Sequence, residues 1–171
     1  MLNIRTERID DYEQVFRVIT EAFKTAEHSD GNEADLVCRL RKSPSFIPEL
    51  SLVALEDNAV VGHILFTKAY VGDTTVLALA PLSVLPSYQN RGIGLALIRY
   101  GHKIAKNLGY GFSVVLGHAG YYPKAGYVPA GRYGIKAPFA VPDENFMAIC
   151  FDDNPEPLNG TMKYDDAFGD F

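Results

Sequence analysis

Leu82-Ser83-Val84-Leu85-Pro86-Ser87-Tyr88-Gln89-Asn90-Arg91-Gly92-Ile93-Gly94 carries an apolar strand into a turn with two glycines, and a helix opens out of that turn. Such a junction leaves backbone N–H groups unpaired at the positive end of a helix dipole. A phosphate satisfies them. Gly92 and Gly94 lack Cβ atoms, so an anion can come close to the backbone. Arg91 adds a fixed positive charge. The residues after Gly94 exclude two familiar phosphate loops. A P-loop needs Lys and then Ser or Thr after its second glycine, where this chain has Leu95 and Ala96. The dinucleotide fingerprint needs Gly or Ala where this chain has Leu97.

The 171 residues suffice for one domain with a sizeable core. Hydrophobic residues at 47% and charged residues at 22% suit an ordinary globular chain. A net charge of −5 argues against a nucleic-acid surface and suits a cationic amine ligand. No apolar run is long enough to span a bilayer, and the first eight residues are too polar for a secretory signal. Cys38 and Cys150 lack metal-ligand spacing and read as buried thiols of a reducing compartment, so a cytoplasmic location is expected.

Upstream of the turn, Leu2 to Arg8 alternates as a strand. Asp10 is expected to cap a helix, with Glu13 three residues on, that turns Tyr12, Val15, Phe16, Ile19, Ala22 and Phe23 inward. Asn32 opens a second helix carrying Leu36, Val37 and Leu40, stopped by Pro44. Asp57-Asn58 joins two strands as a tight hairpin, and Gly72-Asp73 turns into a third, Thr75 to Leu85. Pro81 inside that strand cannot donate to a ladder, which marks an edge, a bulge or a release of pairing. Gly92 to Leu108 is the longest helix, with Ile93, Leu97, Tyr100, Ile104 and Leu108 at helical spacing. Phe112 to Leu116 reads as a buried parallel strand, reached by a right-handed crossover that puts the Gly92 loop at the ligand-binding end of the sheet. Tyr121 to Ala125 reads as a short helix, and Tyr127 to Tyr133 and Phe146 to Phe151 as the last strands. Residues 1–151 are expected to form the domain, with the acidic extension 152–171 lying against it through Leu158, Met162, Tyr164 and Phe168.

Gln89-Asn90-Arg91-Gly92-Ile93-Gly94 fits Q/R-x-x-G-x-G/A and resembles the pyrophosphate loop of the GNAT superfamily of acetyl-CoA-dependent N-acetyltransferases. Tyr122-Pro123-Lys124-Ala125-Gly126-Tyr127 is similar to that family's Y-x-x-x-G-F segment, with Tyr127 in place of Phe. Within it the chain resembles the YhbS-like subfamily, on Asn32 to Val37, Val61 to Phe66, Ala80 to Val84, Leu116-Gly117 followed by Tyr121-Tyr122-Pro123, and Gly160 to Tyr164 with Phe168. His118-Ala119-Gly120 departs from that subfamily's Asp-Pro-Ala. The resemblance implies an α/β (α+β) fold. Its mixed, largely antiparallel sheet has about seven strands, splays at strands 4 and 5, and is flanked by about four helices. It further implies acetyl-CoA as cosubstrate, no metal, an amine acceptor and compatibility with a homodimer.

The implied reaction is direct attack of an amine on the acetyl thioester. Gln89, Asn90, Arg91, Gly92, Ile93 and Gly94 are expected to hold the pyrophosphate, and the backbone of Leu82, Ser83 and Val84 to pair with the pantetheine arm. The Val84 N–H is the expected oxyanion donor and Tyr122 the general acid, a phenol being protonated at neutral pH. Tyr121 is its neighbour and reads as a packing residue. His118 is a candidate contact to substrate or CoA, and His63 reads as a packed core histidine. Leu77 to Leu85 contains no titratable side chain, so the base stays open among Glu33, Glu27, His28, Glu21 and a water chain. Glu33 equally suits the first turn of its helix. Three competing readings stand beside a small-molecule N-acetyltransferase. They are a protein N-terminal or lysine acetyltransferase, a catalytically weak acetyl-CoA sensor, and a binder of some other nucleotide.

Overall fold

A computed structural model describes residues 1–24, 29 and 31–169. β1 (Leu2–Thr6) pairs antiparallel with β2 (Phe46–Glu56), which turns into β3 (Ala59–Val71). Asp57 and Asn58 take φ of 51° and 66°, the left-handed pair that a two-residue hairpin of matching twist demands. β3 runs back into β4 (Thr74–Val84) through Gly72. α3 (Ile93–Asn107) then crosses to β5 (Phe112–Leu116), which lies parallel to β4. β5 pairs with β8 (Phe146–Cys150), and β8 with the two-residue β6 (Val128–Pro129). β9 (Gly160–Lys163) joins the end of β3 and the two-residue β7 (Ile135–Lys136). The described residues thus form a mixed, mostly antiparallel sheet of nine strands with three α-helices.

α1 (Tyr12–Phe23) and α2 (Glu33–Arg41) cover one face, burying Val15, Val18, Ile19, Val37 and Leu40 against Val53 and Leu65. α3 covers the other, with Leu97, Ile98 and Ala105 on Ile64, Phe66 and Leu77. Gly101 brings α3 down onto Phe66, whose ring a Cβ at that place would overlap. Gly101→Ala is therefore expected to cost about 1–3 kcal/mol. Urea unfolding measures it, and an unchanged midpoint would contradict this packing.

Several local expectations are corrected. Asp11, not Asp10, organises the start of α1: its carboxylate accepts the Arg8 N–H at 2.7 Å and pairs with Arg5 at 2.7 and 3.0 Å. Val18 takes the inward place expected of Phe16, which is exposed. Tyr100 is exposed because the stripe of α3 that faces the sheet centres on Leu97, Ile98, Gly101 and Ala105, and Leu108 is exposed because it is the C-cap, past the end of the helix. Tyr127 to Tyr133 is not one strand. Pro129 has no N–H to extend the ladder, and a 3-10 turn, Ala130–Tyr133, follows it. The helix expected at Tyr121 is a single 3-10 turn, Tyr122–Ala125, ended by Gly126 at φ 99°. Cys38 and Cys150 are free and partly exposed rather than buried.

After β8 the chain returns to the domain. Met162 is buried, and the Asp165 carboxylate accepts the hydroxyls of Ser43 and Ser45, both at 2.6 Å. No helix among the described residues is long and apolar enough to cross a membrane.

The two central strands of the sheet part company early. β4 and β5 pair only at Leu77↔Ser113 and Ala78↔Val114. Beyond them Ala80 and Pro81 form a bulge against β3, since Phe66 pairs with Leu79 but Ile64 with Leu82. The bulge at Pro81 thus lies in the stretch of β4 that has already left β5.

Candidate active site

The free edge of β4 is built by ladder alternation. Leu85 donates its N–H to Val61 O at 2.9 Å, so residues of its parity face β3. Leu82 and Val84 therefore turn their N–H and C=O groups to the opposite, β5-side edge. The Val84 carbonyl accepts the Gln89 side-chain amide at 3.0 Å, which leaves its N–H facing the gap. Ser83, expected to share this edge, instead turns its backbone to its register partner His63.

A 3-10 turn, Pro86–Tyr88, then leads to Asn90 at φ 63° and Gly92 at φ 80°, the N-cap of α3. The first bond of the helix is Ala96 N–H to Gly92 O at 3.0 Å. The N–H groups of Gly92, Ile93, Gly94 and Leu95 consequently have no intrahelical partner. Gln89, Asn90, Arg91 and Gly92 are exposed, and the Arg91 guanidinium stands 5.0 Å from the Tyr88 ring centroid. Ile93 is buried in the core, so only its backbone serves the turn. The two glycines are needed for different reasons. Gly92 supplies the left-handed φ with open space around it, whereas a Cβ on Gly94 would overlap the Tyr121 hydroxyl.

Across the gap lies a cluster of phenols. Tyr122 seats its ring on Gly117, where a Cβ would overlap it. It stands edge-on to Tyr121 (5.2 Å, 86°) and to Tyr127 (5.7 Å, 79°). Burial, helped by Tyr121, pushes the Tyr122 phenol well above its ordinary value and keeps it protonated. Tyr127 is anchored through its hydroxyl, 2.8 Å from Ser113 Oγ and 2.9 Å from His102 Nε2. His118 starts the turn through its carbonyl, which accepts the Tyr121 N–H at 3.1 Å, while its side chain is exposed. Sequence reasoning missed the anchoring of Tyr127. Its signal was the hydroxyl added at a phenylalanine position.

Glu33 and Glu21 line a cavity of about 260 Å³ between α1 and α2, together with Ile19, Thr20 and Phe23. Glu33 Oε1 accepts the Ser29 hydroxyl, and its buried Oε2 has no hydrogen-bond partner among the described residues. Glu27 and His28 lie outside the described residues.

A buried polar network missed by sequence reasoning runs beneath α2. Arg41 grips Glu7 at 2.6 and 3.1 Å, and Ser51 Oγ gives its proton to Glu7 at 2.9 Å. Ser51 must then accept from His63 Nε2 at 3.0 Å, which fixes the neutral Nε2–H tautomer. Burial, with Arg41 nearby, depresses His63 to about 4 against the pull of Glu7. The 3.6 Å His63–Glu7 contact is accordingly no ion pair at neutral pH. Burial also lowers His102 to about 4. Between about pH 4 and 6.5 the unfolded chain binds more protons at these sites, so their stabilisation is full above 6.5 and lost as pH falls toward 4. Chemical unfolding at pH 7.5 and 5.0 is expected to show a loss of about 2 kcal/mol for His63 alone. Equal stability at the two pH values would contradict the buried neutral imidazoles.

The model of the acetyltransferase (GNAT) family matches residues 12–127. The chain is 42% identical over 139 residues to uncharacterized N-acetyltransferase YjhQ of Escherichia coli strain K12, covering 77% of each. It is 28% identical over 143 residues to uncharacterized N-acetyltransferase YhbS of the same strain, covering 81% of this chain and 84% of the other. Among solved structures, a GNAT family acetyltransferase from Brucella melitensis in complex with acetyl-CoA superposes with TM-score 0.81 at 33% identity over 98% of both chains. YhbS from Escherichia coli in complex with CoA superposes with TM-score 0.84 at 26% identity, over 99% of this chain and 93% of that one.

Proposed function

Since the chain belongs to the acetyltransferase (GNAT) family, we propose that it moves the acetyl group of acetyl-CoA to the primary amine of a small molecule, by direct attack through a tetrahedral intermediate. It is an acetyl-CoA-dependent N-acetyltransferase. The observation that carries the assignment of parts is the parting of β4 from β5 just before the unpaired N–H groups of α3. The gap offers a strand edge for an extended arm and, at its end, donors for a pyrophosphate.

In this reading the first-turn amides of α3, with Gln89, Asn90 and Arg91 around them, hold the pyrophosphate. The free edge at Leu82 and Val84 holds the arm, and the Val84 N–H faces the oxygen that becomes negative on attack. Tyr122 donates its proton to the departing thiolate. Of the three protons on the substrate ammonium, one stays on the amide, one replaces the proton lost by Tyr122 and one leaves to solvent. Glu33 contacts the ammonium or accepts that last proton, and the exposed His118 lies on the loop beside Tyr122. The small cavity with two carboxylates, Glu21 and Glu33, supports a compact cationic acceptor. The free, widely separated cysteines support a cytoplasmic location.

Thiol release from acetyl-CoA, measured over a panel of small amines and over peptides with free N-termini or lysines, tests the assignment. Turnover with a small amine is expected. Turnover only with peptides would overturn the small-molecule acceptor, and tight binding without release from anything would favour a sensor.

A further inference from the structure

Tyr121 reads from the sequence as packing, yet its hydroxyl is placed for something else. The backbone on both sides of it is pinned: its N–H bonds to His118 O at 3.1 Å, and its carbonyl accepts the Lys124 N–H at 3.2 Å. The ring is half-buried and held edge-on by Tyr122, with Lys124 Nζ 5.9 Å from its centroid. So held, it reaches from the 3-10 turn across to α3. A Cβ on Gly94 would overlap the hydroxyl, and would lie 3.4 Å from Cζ and 3.6 Å from Leu82 Cδ2. The hydroxyl thus sits at the first turn of α3, beside the side chain of Leu82, a residue whose backbone forms the free edge of β4. It makes no hydrogen bond to any described residue. Burial raises its pKa, so at neutral pH it is a donor.

We propose that Tyr121 is an acyl-donor-binding residue whose hydroxyl donates a hydrogen bond to an oxygen of the phosphopantetheine arm, where the arm passes from the first turn of α3 to the Leu82–Val84 edge. This rests on the proposed use of acetyl-CoA. It divides the two adjacent phenols by place. Tyr122 backs onto Gly117 and Tyr127 at the end of β5, toward the thioester, while Tyr121 faces α3, toward the phosphates. It also gives Gly94 a role besides close approach of an anion, since only glycine leaves room for the hydroxyl.

The test is calorimetric titration of wild type and Tyr121→Phe with CoA, with 4′-phosphopantetheine and 3′,5′-ADP measured by competition against it. Removing one hydrogen bond is expected to weaken CoA and 4′-phosphopantetheine by about three- to tenfold, with 3′,5′-ADP unchanged. Equal CoA affinity in the two proteins would overturn the proposal, as would a loss shared by 3′,5′-ADP. Wild type that binds no CoA would instead bring down the proposed use of acetyl-CoA itself. A second pair of variants tests the placement without any ligand. Gly94→Ala is expected to lower the melting temperature, and adding Tyr121→Phe to recover most of that loss, because the 3.4 Å left to Cζ is ordinary contact. Losses that simply add would show that the hydroxyl does not sit over Gly94.

Discussion

Gly94→Asp is expected to abolish CoA binding while leaving a folded protein. The new side chain projects first onto the Tyr121 hydroxyl, which has to swing away from α3. Its carboxylate then lies among the first-turn N–H groups and competes for them. Placed about 5 Å from a pyrophosphate, one negative charge costs about 3 kcal/mol per phosphate charge at an effective dielectric of 20. That is a loss of at least about 100-fold in affinity. The fold is protected by the same electrostatics, because an acid in the first turn complements the helix dipole. Circular dichroism and a melting curve check the fold, and calorimetry reads the affinity. Retained affinity would remove the α3 turn from the site. Gly92→Asp should act in the same direction for a different reason, since its φ of 80° strains any side chain.

Tyr122→Phe is expected to keep CoA affinity and lose turnover. The substitution leaves the ring on Gly117 and its edge-on contacts with Tyr121 and Tyr127, and removes only the hydroxyl. A general acid contributes typically about 100- to 10,000-fold. The expected result is a fall of that size in kcat at constant CoA affinity, measured by thiol release. Unchanged turnover would exclude Tyr122 as the essential acid. Comparison with Tyr121→Phe separates the neighbours, since one acts on the rate and the other on binding.

What was legible in the sequence is what local chemistry dictates. Asp57-Asn58 between apolar runs specifies its hairpin through two left-handed residues. Pro81 announces an interruption because it lacks a donor, and β4 bulges against β3 there, just past its last pair with β5. The strand-turn-helix of Leu82 to Gly94 carries its own geometry. The expectation for Ser83 failed because which backbone edge a residue shows depends on ladder parity, which the partner strand sets. Asp11 displaced Asp10 because Arg5, on β1, selects the carboxylate it can reach. The Glu7, Arg41, Ser51 and His63 network draws on four distant segments, and no spacing along the chain encodes it. The meeting of Tyr121 with Gly94 is likewise a product of tertiary packing. Periodicity alone placed Tyr100 and Leu108 inward: Tyr100 stands about 100° around the helix from Gly101, which meets Phe66, and Leu108 falls at the C-cap, past the last turn of α3.

The central claim is that the gap between β4 and β5, ending at α3, holds acetyl-CoA. Calorimetric titration of wild type and Gly94→Asp with acetyl-CoA, side by side, tests it most directly. Saturable binding at one site per chain in wild type, absent from a folded Gly94→Asp, is the expected result. No binding in wild type, or equal binding in both, would contradict it.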